Sequence, residues 1–282
     1  MIKLKMLKDY RPTSAGKRVR RSLVRMVSKK RPEKTLVKMM VGPVAKSGGT
    51  ISSRHRQRGA RKYYRIIDFK RDKFDIPAKV VAIEYDPNRG PNIALLNYAD
   101  GEKRYILVPE GLQVGMTVVS TRKDDKIEVS VGSTAKLGIV PLGTEVHNIE
   151  MIPGRGAQMV RGAGNVGIVM AKEDKYVNIK LPSGEVRRFQ ADCLATFGRL
   201  SNSELRSVNL GKAGRKRHLG YRPHVRGVAV ANPRQHPHGG SYKDNGVGMA
   251  PVSPWGWKTK GKKTRRRTST NRLIVSRRQK RR

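Results

Sequence analysis

Charge is segregated along this chain, and the segregation limits what it can fold into. Residues 66–198 carry 18 Lys and Arg against 17 Asp and Glu, while the two flanks together carry 44 against 4. A nearly neutral middle can condense by itself. Flanks with so few acids repel themselves until a counter-charge arrives. The whole chain, 282 residues at a net +41, therefore calls for a polyanionic partner. The neutral centre between two basic arms sets it apart from histones and secreted basic toxins, which share only the total.

The middle has the period of β-structure. Val80–Tyr85 alternates as a strand and ends at Asp86-Pro87-Asn88. Ile93–Tyr98 and Lys103–Val108 form a hairpin around Ala99-Asp100-Gly101-Glu102, with Asp-Gly as the turn signal. Val114–Ser120 and Lys126–Val131 supply two more short strands. Five short strands with tight turns predict a small barrel. A second β unit follows Pro141, with strands at Val146–Met151, Val166–Ala171, Tyr176–Leu181 and Val186–Gln190. Aromatics are only 5%, so both cores must rest on Val, Ile, Leu and Met. The predicted division is a basic arm at 1–65, barrels at 66–132 and 133–198, and a basic extension at 199–282.

The flanks are broken by Gly42-Pro43 and Ser47-Gly48-Gly49, which favours an extended N-terminal arm. Helical turns are expected around Leu23–Val27 and Asn202–Arg206. Residues 51–65 interleave Arg54, His55, Arg56, Arg58, Arg61, Lys62 and Arg65 with Tyr63 and Tyr64. Guanidinium groups pair with phosphate and aromatic rings stack on bases, so this mixture suits RNA better than a merely solvated loop. Residues 258–282 hold 13 basic side chains and no acid, too little apolar surface to offset chain entropy without a bound partner. The strip Val225–Lys263 is punctuated by Gly and Pro and centres on His236-Pro237-His238-Gly239-Gly240. Its Gly pair permits close backbone approach, and its cations point to phosphate.

Other chemistries are weighed and set aside. Gly162-Ala163-Gly164-Asn165-Val166-Gly167 has dinucleotide-loop spacing, but a strand pattern follows it where a helix is required. Residues 256–263 nearly match a nucleotide P-loop, yet Lys263 replaces the magnesium-binding Ser or Thr. His218, His224, His236 and His238 lack the cysteines and acids of a zinc set, so no metal site is expected. General-base catalysis at His236 would need a nucleophile and an orienting carboxylate that the sequence does not identify. Cys193 is the single cysteine, which predicts a reducing compartment. No apolar run approaches the roughly 18–20 residues of a membrane span.

Distinct motifs then align with one family. Arg11-Pro12-Thr13-Ser14, Lys46-Ser47-Gly48-Gly49, Tyr64-Arg65-Ile66-Ile67-Asp68-Phe69-Lys70-Arg71 and Glu84-Tyr85-Asp86-Pro87-Asn88-Arg89 occur in order. Asp100-Gly101-Glu102-Lys103-Arg104-Tyr105-Ile106-Leu107, Val146-His147-Asn148-Ile149-Glu150 and Leu210-Gly211-Lys212-Ala213-Gly214 follow. His236-Pro237-His238-Gly239-Gly240, Pro254-Trp255-Gly256 and Lys260-Gly261-Lys262-Lys263-Thr264-Arg265 complete the series. Nearly the whole chain thus resembles the universal bacterial-type "L-two" family of large-subunit ribosomal proteins. The resemblance implies a mainly β fold: an OB-fold barrel, then an SH3-like barrel, with long basic irregular N- and C-terminal extensions.

It also implies a structural role rather than an enzymatic one. The expected functions are large-subunit rRNA binding, subunit assembly and association, tRNA binding and peptide-bond formation near the peptidyl-transferase centre. The expected partners are rRNA, neighbouring ribosomal proteins and the small subunit, with no membrane and no homo-oligomer. No cofactor is expected beyond Mg ions held by rRNA. The expected place is the cytoplasmic ribosome. An organellar ribosome is the alternative, since the first 40 residues, whose only acids are Asp9 and Glu33, have a transit-peptide composition. Two other functions stay open at this level: a nucleic-acid-processing enzyme with a histidine-based site, and a free nonspecific RNA chaperone.

The expected RNA-binding residues lie in three groups. The first is Arg54, His55, Arg58, Arg61, Tyr64 and Arg65, with Lys70, Arg71 and Arg89 beyond it. The second is Lys212, Arg215, Arg217 and Arg226. The third is the loop Asn232, Arg234, His236, His238, Gly239 and Gly240, continued by Trp255, Lys258, Lys260, Lys262, Lys263 and Arg265. The chain departs from the family pattern at Gln57-Arg58-Gly59-Ala60, at Gln235 and at Ser241-Tyr242-Lys243.

Overall fold

The computed structural model describes residues 6–40, 44–122, 129–240 and 250–278. They belong to two compact units. One comprises Met1–Val41, Arg61–Lys212 and Thr270–Arg282, and the other Gly42–Ala60 and Ala213–Ser269.

The N-terminal arm is built of short ribbons. Strand β1 (Leu7–Asp9) pairs with β2 (Arg21–Leu23) across helix α1 (Ala15–Arg18). The turn expected at Leu23–Val27 does not form there, because Val24 N–H donates to the Met6 carbonyl at 2.7 Å and keeps the chain extended. Strand β3 (Val37–Met39) pairs further along with β6 (Tyr63–Arg65). Between them, β4 (Lys46–Ser47) and β5 (Thr50–Ile51) flank Gly48 and Gly49, at φ 54° and 80°. Left-handed φ at both central positions is what a two-residue hairpin turn demands. Glu33 fastens the arm to the first barrel. Its N–H donates to Tyr105 Oη at 3.0 Å, and its carboxylate meets Lys103 at 3.0 Å.

The first barrel is organised by β7 (Ala78–Glu84), β8 (Ile93–Tyr98), β9 (Lys103–Leu107) and β10 (Thr117–Val118), in the order β10-β7-β8-β9. The β8–β9 turn is held by Gly101, at φ 84°, whose N–H reaches the Tyr98 carbonyl at 2.9 Å. Lys73 ion-pairs with Asp100 and Glu102 beside it. Strand β8 is buried on both faces. Ala94, Leu96 and Tyr98 enter one core with Val80, Ile106 and Val118. Ile93 and Leu95 enter another with Ile67, Tyr105 and Leu200. The continuous apolar run is explained by this two-sided burial. The strand expected at Val114–Ser120 shrinks to two residues because Gly115 takes φ 95° and donates to Val80 at 2.8 Å. Of the strand expected at Lys126–Val131, residues 126–128 lie outside the described set, and 129–131 are not a strand.

The second barrel uses β11 (Thr134–Lys136), β12 (Glu145–His147), β13 (Ile149–Glu150), β14 (Ala157–Met159), β15 (Gly167–Lys172), β16 (Tyr176–Lys180), β17 (Val186–Gln190) and β18 (Leu194–Phe197). A last strand, β19 (Ile274–Ser276), joins the edge at β17. The sheet order is β11-β18-β12-β15-β16-β17-β19, with β13 and β14 as a separate ribbon. The strand expected at Val146–Met151 is broken by Asn148, at φ 53°. That break sends β12 into the large sheet and β13 into the ribbon. Val146, Ile149, Val169, Val177, Ile179, Phe189 and Phe197 fill the core. Each such side chain stabilises the fold by about 1.5–3 kcal/mol on burial. The fold is mainly β, an OB-fold barrel followed by an SH3-like barrel.

Two buried polar side chains of this unit, Glu150 and His147, have hydrogen-bond partners. Glu150, 1% exposed, accepts from Gly156 N at 2.9 Å, Leu194 N at 3.1 Å and Gly154 N at 3.2 Å. His147 is buried, its Nδ1 2.8 Å from the Gly198 carbonyl, and desolvation pushes the ring down to about 4. The buried Cys193 thiol is pushed up to about 12, first by burial and then by Glu150. It is inert at neutral pH.

Candidate nucleic-acid interface

The sequence of the second unit holds 18 Lys and Arg and one acid, Asp244. Among its described residues every Lys and Arg is exposed except Arg215, which is half-buried. Two distant segments build it. Helix α2 (Ala213–His218) carries Arg215, Lys216 and Arg217, and residues 217–222 lie against 55–60. Gln57 N–H reaches the Gly220 carbonyl at 2.9 Å, Ala60 N–H reaches His218 at 2.8 Å, and Arg222 N–H reaches His55 at 3.0 Å. Gln57 also donates through Nε2 to the Arg217 carbonyl at 2.9 Å. This shows what the departure at Gln57 does: the side chain braces the seam. Gly59, at φ 72°, lies so close that a Cβ would come 2.7 Å from Gly220 N.

His55 and His224 meet edge to face at 4.5 Å between ring centres. Partial desolvation, then His224 and the guanidiniums of Arg54 and Arg222, hold His55 below the usual imidazole range. Arg56 lies over the Tyr221 ring at 4.2 Å. Cation and ring thus alternate along the seam.

The loop Asn232–Gly240 is tightly wound. Asn232 accepts Arg234 N–H on its side chain at 2.9 Å and Gln235 N–H on its carbonyl at 3.1 Å. Gly239 N–H reaches the His236 carbonyl at 2.7 Å, and Gly240, at φ 112°, reaches Val230 at 3.0 Å. A Cβ on Gly239 would sit 2.7 Å from the Asn232 carbonyl, so glycine is required there by the loop itself. The His236 ring covers Gly227, where a Cβ would lie 2.6 Å from Nδ1. The two imidazoles stack with centres 5.4 Å apart.

Both rings accept backbone protons. His236 Nδ1 takes His238 N–H at 3.1 Å, and His238 Nε2 takes Val252 N–H at 2.9 Å. Each of these ring nitrogens serves as an acceptor to the backbone. The lone pairs that metal binding or proton abstraction would use are engaged in holding the loop. The Val252 bond ties the loop to a hairpin, residues 251–259, bridged at Val252 and Lys258 and turned at Gly256, φ 77°. Trp255 stands at its tip, 71% exposed.

Two family models match the chain. "Ribosomal Proteins L2, RNA binding N-terminal domain" covers residues 19–120, and "Ribosomal Proteins L2, C-terminal domain" covers residues 130–256. The chain belongs to the ribosomal protein L2 family. It is a structural, RNA-binding protein of the large ribosomal subunit. The C-terminal L2 match runs through the histidine loop and stops at the Trp255 hairpin.

The expected L2 contact residues are spread over both units. Arg54, His55, Arg58, Arg217, Arg226, Asn232, Arg234, Trp255, Lys258, Lys260, Lys262, Lys263 and Arg265 are exposed on the second unit. His236, His238, Gly239 and Gly240 are half-buried within its loop, and Arg215 within its helix. Arg61, Tyr64, Lys70 and Lys212 are exposed on the first unit.

Three of the expected residues make contacts inside the first unit. Arg71, 3% exposed and at φ 52°, spends Nε on Ser120 Oγ at 3.0 Å and NH2 on the Gly132 carbonyl at 3.3 Å. Burial holds its guanidinium below its usual range. Arg65, 9% exposed, turns back to the Tyr63 carbonyl at 3.0 Å. Arg89 binds buried Asp86 at 2.6 Å and Tyr64 Oη at 2.8 Å. These arginines knit the start of the first barrel together, a use that charge alone does not reveal.

The tempting glycine motif also has a structural explanation. Gly164, at φ 66°, packs so that a Cβ would lie 2.5 Å from Ser203 Cα, and Gly167 opens strand β15.

Proposed function

We propose that the second unit is the principal rRNA-binding surface of this protein and that it supports subunit assembly, subunit association, tRNA binding and peptide-bond formation near the peptidyl-transferase centre. One observation carries this: a unit with 18 cations and one acid, whose described cations, Arg215 apart, are exposed on a hydrogen-bonded scaffold. Such a surface calls for a polyanionic complement. Phosphate supplies it, releasing counterions. The cations carry affinity; the histidines set loop geometry and leave the chemistry of peptide transfer to RNA. The cytoplasmic ribosome is its place of action.

Salt titration tests the surface. Engagement of about ten phosphates gives a slope near −9 in log affinity against log salt, a loss of roughly 10³–10⁵ between 50 and 200 mM. A slope near zero rejects the cationic surface as the binding site.

A further inference from the structure

Trp255 is an unusual residue to leave in water. It is more exposed than any other large hydrophobic side chain among the described residues, at 71%, save none. Its hairpin nevertheless fixes it. Ser253 N–H donates to the Trp257 carbonyl at 2.8 Å, Gly256 N–H to Ser253 at 2.9 Å, and Trp257 N–H to Ser253 Oγ at 3.2 Å. Thr259 closes the base through Pro251, by its N–H at 2.9 Å and its Oγ1 at 2.8 Å. The companion ring, Trp257, differs. Lys262 Nζ sits 3.8 Å from its centre and Arg266 lies 6.0 Å away, so its face is capped by its own chain. Trp255 has the Arg54 guanidinium at 4.8 Å and otherwise faces solvent.

We infer that Trp255 is a stacking platform for an unpaired RNA base, with Arg54 beside it for the attached phosphate. The inference rests on the RNA-binding function proposed above and names the form of RNA that this site takes. An exposed indole on a hydrogen-bonded hairpin beside a cation, within a unit almost free of acids, matches a nucleotide in both parts. The base needs a flat apolar face and the phosphate needs positive charge. Paired bases in an A-form helix have their faces covered by neighbours, so only an unpaired base can use the ring. Because the hairpin orders the backbone around Trp255 before binding, less ordering remains to oppose stacking.

The test uses the full chain with Trp257→Phe, which leaves Trp255 as the only tryptophan. Emission and labelled-RNA anisotropy are followed against an unstructured single-stranded RNA and against a blunt RNA duplex of equal charge. Single strands are expected to quench Trp255; the duplex binds through charge without quenching. Trp255→Ala is expected to weaken single-strand binding about 5- to 150-fold, from the roughly 1–3 kcal/mol a stacked base contributes. It leaves duplex affinity and salt slope unchanged, which also shows that the unit remains folded. Trp255→Phe restores most of the loss. Equal quenching by duplex, or equal loss of both RNAs in Trp255→Ala, overturns the platform while RNA binding stands. A shift of emission with RNA-free subunit proteins but not with single strands assigns the ring to a protein pocket and overturns it too. Failure of both RNAs to bind at low salt removes the proposed function itself.

Discussion

His147 is a pH liability built into the second barrel. The ring is 1% exposed, donates through Nδ1 to the Gly198 carbonyl at 2.8 Å, and is pushed down to about 4 from an ordinary 6.5. Desolvation is the main cause, with buried Arg71 adding repulsion. Since the folded value lies below the unfolded one, the unfolded chain takes up the proton first. Stability is complete above pH 6.5 and falls as pH drops from 6.5 toward 4. Each pH unit in that window costs about 1.4 kcal/mol, about 3 kcal/mol in all. His147→Asn keeps a donor near the Nδ1 position and removes the titration. In urea unfolding followed by far-ultraviolet circular dichroism, the variant should carry a constant offset at pH 7 and a flatter pH dependence. The wild-type chain should lose about 2–3 kcal/mol more than the variant between pH 7 and 4.5. Parallel curves over that range would refute the burial argument.

Three further perturbations address the scaffold and the loop. Glu150→Gln puts an amide where three backbone N–H groups converge and should cost about 2–3 kcal/mol in urea unfolding; an unchanged midpoint would show that the carboxylate does not organise the 150–156 turn. Gly227→Ala should expel the His236 ring and reproduce His236→Ala, with the double variant no worse than either single one; additive losses in subunit reconstitution would separate the two residues. His236→Gln keeps an acceptor, so subunits should assemble and retain most peptide transfer, whereas His236→Ala should lose about 1 kcal/mol of loop stability, roughly fivefold in activity. A His236→Gln subunit that assembles normally yet abolishes transfer and flattens its pH profile near neutrality would contradict the structural role.

The strands with clean alternation were legible in sequence, as were the hairpin at Asp100-Gly101 and the segment Val186–Gln190. Leu194–Phe197 was not, because all four residues are buried and show no period. Ile274–Ser276 was not either. It sits in a basic tail expected to lack structure, and only tertiary pairing with β17 makes it a strand. Single glycines and asparagines moved other boundaries, as Gly115 and Asn148 did, since a positive φ interrupts a strand that composition would continue.

Charge patterning points to a cationic surface but does not distinguish an arginine facing solvent from one folded inward. Arg58 and Arg71 look alike in sequence. Arg71 differs because Ser120 and Gly132 lie within hydrogen-bond distance of its guanidinium. The family resemblance supplied the histidine loop, but not that both rings are fastened by backbone N–H donors. Nor did it supply the contrast between capped Trp257 and open Trp255, which depends on where Lys262 folds.

Residues 42–60 and 213–269 are proposed to form the rRNA-binding unit. The most direct measurement is a cryo-electron-microscopy map of large subunits containing this chain, resolved well enough to place those residues. Arg54, Arg226, Arg234, Lys258 and Lys260 are expected within hydrogen-bond distance of rRNA phosphates. The proposal would be contradicted if this unit lay free in solvent or touched only protein while the neutral barrels held the RNA.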